Sequence, residues 1–220
     1  MFVSDKYKFI FFHIPKAGGT GITTFLKNIH NYRGAERADP EPMIHHMSAQ
    51  EYLSKHPDKR TYFKFAVTRN PWARVLSGFQ DFLHTLGTRS RPRYHLNMDA
   101  YKGSTAKDSF RRFCKDLINS PWKDDVHFLP QVKFVHDTNG VLLVDKIFKL
   151  ENLNDSIMNC EELPYFKDYP DFTKAVPSDT RPSIKLYQTN YSELYDNECK
   201  DIIYELYKED VETFGYEFGK

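Results

Sequence analysis

Apolar positions along this chain recur in two rhythms, and the rhythms alternate. Nearly continuous apolar stretches rich in aromatic and β-branched residues occupy 8–14, 63–68 and 141–150, the pattern of strands buried on both faces. Elsewhere apolar residues fall three and four apart. Ile22, Phe25, Leu26 and Ile29 predict one helix, Trp72, Val75, Leu76, Phe79 and Leu83 another, and Phe110, Phe113, Cys114 and Leu117 a third. Cys199, Ile202, Ile203, Leu206, Tyr207 and Val211 extend the same spacing into one long final helix. Alternating strand and helix without internal repeats predicts an α/β fold, a central and mainly parallel sheet sandwiched between helices. Pro164, Pro170, Pro177 and Pro182 mark 160–182 as an irregular excursion too short to be a second domain, so a single domain over 1–220 is expected.

Candidate chemistry sits where strands give way to helices. The stretch FIFFHIPKAGGTGITTFL (9–26) breaks at His13-Ile14-Pro15, presents Lys16 and passes through Gly18-Gly19-Thr20 before the helix resumes. Glycines let a backbone approach an anion closely, and the amides and dipole of a helix N-terminus favour it. A phosphate cradle is therefore expected here, completed by Lys16 and the Thr20 hydroxyl. A Walker A loop requires Gly-Lys-Ser/Thr, but here the lysine precedes the glycines and the only Gly-Lys pair is Gly219-Lys220. The dinucleotide fingerprint also fails, because Gly19-Thr20-Gly21 is followed by Ile22, Thr23 and Thr24. An ordinary P-loop phosphotransferase or dehydrogenase is disfavoured; a glycine-rich connection carrying a solvated lysine is the plain alternative.

The stretch YFKFAVTRNPWARVLSGFQDFL (62–83) repeats the plan, with Asn70 as N-cap and Pro71 as first helical residue. Arg69 falls at the strand end, where a guanidinium reaches the crevice outside the strands' carboxyl ends. Arg74 and Ser77 share a helix face three residues apart, so either suits the same anion. A helix-end ion pair for Arg69 and a packing role for Ser77 are the competing explanations.

Together these segments resemble the sulfotransferases, in particular the carbohydrate branch that includes heparan sulfate 2-O-sulfotransferases, chondroitin-type enzymes and bacterial relatives. IPKAGGT is similar to that family's 5′-phosphosulfate loop, and RNPWARVLS to its 3′-phosphate motif; HFLPQVKFVHDTNGVLLVDKIFKLENL (127–153) and YKEDVETFGYEF (207–218) add to the match. The resemblance implies a P-loop-like three-layer sandwich and a metal-free transfer of a sulfuryl group from 3′-phosphoadenosine-5′-phosphosulfate (PAPS) to a hydroxyl of a carbohydrate or glycoconjugate. It implies that Lys16, Ala17, Gly18, Gly19, Thr20 and Gly21 hold the 5′-phosphosulfate, with Lys16 stabilising the leaving group, and that Arg69 and Ser77 hold the 3′-phosphate. Ala17 and Gly21 depart from the family, which often carries Thr or Cys at the first position and a second hydroxyl residue at the other.

For the base the chain offers His45 and His46, just ahead of Ser48-Ala49-Gln50-Glu51, a capping box. Histidine, with an ordinary pKa near ~6.5, takes a proton from an alcohol near neutrality. By similarity to the 2-O-sulfotransferase pattern His46 is the better placed and His45 the alternative; a pair that only packs or caps the helix is the bland reading. His127, Glu151-Asn152, Arg181 and Lys185 are weaker candidates for lining the site. No His-Glu-x-x-His motif or cysteine spacing suggests zinc.

Charge changes the picture little. Thirty-one Lys and Arg against thirty Asp and Glu leave a formal net charge of +1, which gives no global field for nucleic acid or membranes. Locally, residues 84–108 carry five Lys or Arg against two Asp in a loop-like composition, suiting a lid over an anionic or hydroxyl-rich acceptor. Three widely spaced cysteines, Cys114, Cys160 and Cys199, imply no disulfide framework. Eukaryotic members of the resembled branch are typically anchored in the Golgi. With no apolar leader ahead of the first strand, the expectation is instead a cytoplasmic enzyme, most simply bacterial, without stable membrane insertion.

Overall fold

The computed structural model describes residues 1–29, 46–88, 101, 103, 105–168 and 190–220. They fall into two compact units, Met1–Arg69 with Gln131–Thr180 and Asn70–Pro130 with Arg181–Lys220. In chain order the elements are β1 (Phe2–Ser4), β2 (Phe9–Phe12), α1 (Gly19–Ile29), α2 (Ala49–Lys55), β3 (Phe63–Thr68), α3 (Pro71–Thr88), α4 (Ala106–Leu117), α5 (Val132–Val135), β4 (Lys146–Lys149), α6 (Leu153–Met158), α7 (Asn197–Leu206) and α8 (Lys208–Phe214), joined in places by 3-10 turns.

The first unit contains the sheet, in the order β1-β2-β3-β4. β2, β3 and β4 run parallel, with Phe12 opposite Ala66 and Thr68 opposite Lys149, and β1 is antiparallel to β2. Alternate side chains of a strand point to opposite faces. Phe9, Phe11, Phe65, Val67 and Phe148 accordingly form one apolar face, covered by Ile22, Phe25 and Leu26 of α1 and by Leu153 and Ile157 of α6. On the other face Phe12 meets Tyr52 of α2 edge-on, ring centroids 6.0 Å apart. Helices thus flank a mostly parallel four-stranded sheet, the α/β class expected from the alternation of patterns.

The sheet differs from the sequence pattern in three places, the first being that the 8–14 stretch is a strand only over Phe9–Phe12. The 141–150 stretch forms a strand only over Lys146–Lys149, because Asp137 turns the chain: its carboxylate accepts the N–H groups of Asn139 and Val141, Gly140 adopts φ 78°, and Val141 and Leu142 are exposed. The three-residue β1 is too short to leave a periodic signal.

The second unit is helical among its described residues. Trp72, Val75, Leu76, Phe79 and Phe82 of α3 pack with Phe110, Phe113, Cys114 and Leu117 of α4, with Trp122 and Phe128, and with Cys199 and Ile203 of α7. The Ile29 and Leu83 side chains lie outside those described. The expected long final helix is interrupted at Tyr207 (φ −119°, ψ 26°), whose N–H is shared between the carbonyls of Ile203 and Tyr204. The buried Tyr207 hydroxyl donates to the Phe128 carbonyl at 2.6 Å, and this tie to another segment accompanies the break.

Candidate active site

The turn between β2 and α1 is built from backbone. Lys16 and Gly18 both adopt left-handed conformations, φ 65° and 78°. For lysine this costs roughly 1–2 kcal/mol. Gly18 is favoured by its left-handed backbone, whereas at Gly19 a Cβ would lie 1.9 Å from the His13 ring, so the ring itself calls for glycine there. Ala17 is buried and its N–H points back to the Ile14 carbonyl, 3.4 Å away. Helix α1 starts at Gly19, and the Ile22 N–H donates to the Gly18 carbonyl at 3.3 Å. The amides of Gly19, Thr20 and Gly21 belong to the first turn, which has no intrahelical acceptors for them. Thr20 is exposed at the surface of this turn and Lys16 is half-buried.

Imidazoles pack against the same turn. The His13 ring is buried, stacked on Phe11 at 6.1 Å and met edge-on by His46 at 4.8 Å. Nδ1 of His46 lies 3.4 Å from the His13 carbonyl oxygen. His46 is half-buried just ahead of α2, where Ser48 caps the helix by accepting the Glu51 N–H at 3.2 Å. His45 lies outside the described residues, as do Arg181, Lys185 and most of the 84–108 segment.

The turn after β3 is built from side chains. Arg69 follows the last residue of the strand, and its N–H donates to Oε1 of Gln131 at 2.9 Å while Nε2 of Gln131 donates to the Arg69 carbonyl, also at 2.9 Å. Gln131 is fully buried. From this anchored base the Arg69 guanidinium reaches the first turn, where Nη1 donates to the Lys16 carbonyl at 3.3 Å. The cationic residues of the two turns are therefore side by side at the carboxyl ends of β2 and β3, the usual location of ligands in such sheets.

Within the second unit, Asn70 caps α3 as expected: its Oδ1 accepts the Trp72 N–H at 3.2 Å and its carbonyl the Arg74 N–H at 2.9 Å. Arg74 is 1% exposed and turned inward. Its Nη2 donates to the His127 carbonyl at 3.1 Å and its guanidinium stacks over Tyr207. Burial pulls its pKa down, opposed by Tyr207 and the buried Asp210. Arg74 is thus bound into the protein interior, whereas Ser77 is half-buried on α3. His127 pairs through Nδ1 with the Asp125 carboxylate at 2.8 Å and meets Phe82 edge-on. Glu151 and Asn152 are exposed on the turn after β4. Among the described residues no group of three or more His, Cys, Asp or Glu side chains is arranged to hold a metal ion.

His13 and Gln131 were not singled out by sequence reasoning. His13 carried a signal, a polar residue closing an otherwise apolar strand; Gln131 carried only its place after Pro130 in HFLPQ.

Comparison with known proteins finds relatives of one name. Carbohydrate sulfotransferase 10 of Xenopus laevis is 28% identical over 148 residues, covering 63% of this chain and 39% of that protein. The human protein of the same name is 24% identical over 247 aligned residues, covering 99% of this chain and 67% of its own length. That of Danio rerio is 25% identical over 156 residues, 67% of this chain and 40% of the relative. The first of these alignments thus spans well under half of the relative. No solved structure gives a significant match. The relatives are vertebrate proteins, which overturns the expectation of a cytoplasmic, bacterial enzyme. Among the described residues no helix is long and apolar enough to cross a membrane. A profile of the sulfotransferase family matches residues 1–217, and the chain belongs to that family.

Proposed function

We propose that this chain transfers a sulfuryl group from PAPS to a hydroxyl of a carbohydrate acceptor, in line and with His46 as general base. The observation that carries the reading is the β2–α1 turn, a glycine cradle with an imidazole packed against it. The residues present suit a 5′-phosphosulfate: the left-handed Lys16 and Gly18 lead straight into α1, whose first-turn amides have no intrahelical acceptors and whose dipole favours an anion. When bound, PAPS supplies an activated sulfuryl group and a phosphate leaving group.

In this reading the amides of Gly18, Gly19, Thr20 and Gly21 bind the nonbridging oxygens, and the Lys16 ammonium offsets negative charge developing on the bridging oxygen. Ala17 packs the turn, its own amide directed at Ile14. Arg69 binds the 3′-phosphate; on α3, which also carries Ser77, Arg74 is turned inward and supports the helix from within. A carbonyl oxygen only accepts, so the contact between Nδ1 of His46 and the His13 carbonyl supports a tautomer with the proton on Nδ1. Nε2 then keeps the lone pair that takes the hydroxyl proton, a role open to His45 should His46 lack it. The names of the relatives support a carbohydrate acceptor.

The test is incubation with PAPS and a panel of glycans, with mass detection of products. Sulfated glycan is expected, and His46→Ala is expected to keep binding 3′,5′-ADP while losing about 10²–10⁴-fold in turnover. No product from any glycan contradicts the acceptor class. Turnover of His46→Ala within a few fold of the parent removes the base assignment.

A further inference from the structure

Gln131 makes an unusual contact for a side chain. Its amide reproduces a strand neighbour, accepting the N–H and donating to the C=O of the same residue, Arg69, both at 2.9 Å. Arg69 stands one residue beyond the last ladder pair of β3, Thr68 with Lys149, so the sheet itself no longer fixes its backbone. The primary amide extends the strand's hydrogen bonding by one residue from a fully buried position. Its partner in this arrangement is the arginine whose guanidinium reaches the Lys16 carbonyl at 3.3 Å. Arg69 is thereby held at both ends, by Gln131 at the backbone and by the first turn at the tip.

We infer that Gln131 is a positioning residue for Arg69 and through it determines the preference for a 3′-phosphorylated nucleotide. This rests on the reading of Arg69 as a 3′-phosphate ligand. The physical reason is leverage. A guanidinium hangs at the end of a long flexible side chain, and a bidentate contact with phosphate tolerates little error in direction. A small rotation about the Arg69 backbone displaces the fork far more than it displaces the strand end. A glutamine amide suits the task because it offers an acceptor and a donor in one plane, matching the peptide it faces.

The experiment is calorimetric titration of the full chain with 3′,5′-ADP and with 5′-AMP, for the parent, Gln131→Met, Gln131→Glu, Arg69→Ala and the double variant Arg69→Ala/Gln131→Met. Gln131→Met keeps length and volume but removes both bonds. It is expected to lose about tenfold in affinity for 3′,5′-ADP while 5′-AMP changes by less than about twofold. In the Arg69→Ala background the same substitution is expected to change neither affinity further. Gln131→Glu, whose carboxyl still offers the Arg69 N–H an acceptor but has lost the amide donor, is expected to fall between, and it carries the test if the methionine variant does not fold. A residue that merely holds the fold weakens both nucleotides by the same factor, so a parallel loss overturns the inference. So does an additive loss in the double variant. If Arg69→Ala destroys the preference and both Gln131 variants keep it, the inference alone fails. If Arg69→Ala keeps the preference, the reading of Arg69 fails first and the inference with it.

Discussion

The two strand-to-helix turns of this protein occupy neighbouring strand ends and are made by opposite means. The turn after β2 shapes itself with backbone: left-handed Lys16 and Gly18, and a Gly19 whose missing Cβ makes room for the His13 ring. The turn after β3 depends on side chains, Gln131 bracketing the Arg69 peptide and Asn70 capping the next helix. Amides bind an anion without side-chain entropy but demand an uncommon backbone path. A guanidinium reaches farther and carries full charge, but it needs its base held still. The difference teaches that each turn fails in its own way when altered.

The largest effect is expected from the second arginine of the Arg-Asn-Pro motif. Arg74→Ala removes a buried cation that stacks on Tyr207, bonds to the His127 carbonyl and feels the charge of the buried Asp210. Losing the packed side chain together with its bond to the His127 carbonyl costs about 2–4 kcal/mol, read by urea unfolding. Arg69→Ala, at a half-buried position, is expected to cost less than about 1 kcal/mol. Equal losses from the two would erase the division between a structural and a ligand-directed arginine.

Next comes the backbone turn. Gly19→Ala forces a Cβ into the His13 ring and is expected to destabilise by about 1–3 kcal/mol, with His13→Ala in the same chain restoring part of it. Gly18→Ala meets only the end of the Leu150 side chain, which can move, so its cost is mainly the left-handed backbone, about 1–2 kcal/mol. If His13→Ala gives no rescue, the ring is not what requires glycine at position 19.

The smallest effect belongs to Asp5, a partner to neither turn. Hydrogen bonds from Lys59 and Tyr62 hold its carboxyl below the ordinary 3.8. A depressed folded-state pKa adds stability above the unfolded value, and that stability is lost as pH falls through the folded one. The side chain is 69% exposed, so the contribution at neutral pH is under about 1 kcal/mol. Asp5→Asn is expected to melt slightly lower than the parent at pH 7 and to match it near pH 2.

What the sequence made legible was local. Glycine order, the Asn70 cap and helical spacing each act within a few residues, and they placed both turns, the sheet class and most helices. Partnerships across long separations were hidden. Gln131 lies 62 residues from the peptide it brackets. Arg69 and Arg74 read alike as anion ligands, and only the packing of α3 turns Arg74 inward. The final helix kept its apolar spacing through Tyr207 because spacing does not register the backbone angles at that residue or the bond from its hydroxyl to the Phe128 carbonyl.

The central claim is that the two turns together recognise a nucleotide phosphorylated at both the 5′ and 3′ positions. Thermal unfolding with 3′,5′-ADP, 5′-AMP and ADP at one common concentration tests it most directly. At a hundred times its Kd a ligand of the native state adds about 2.7 kcal/mol, and one held a hundredfold more weakly adds about 0.4 kcal/mol. The account predicts a shift of roughly 5–10 °C for 3′,5′-ADP and little for the other two. Equal shifts for all three nucleotides, or a preference for ATP that depends on magnesium, would contradict it.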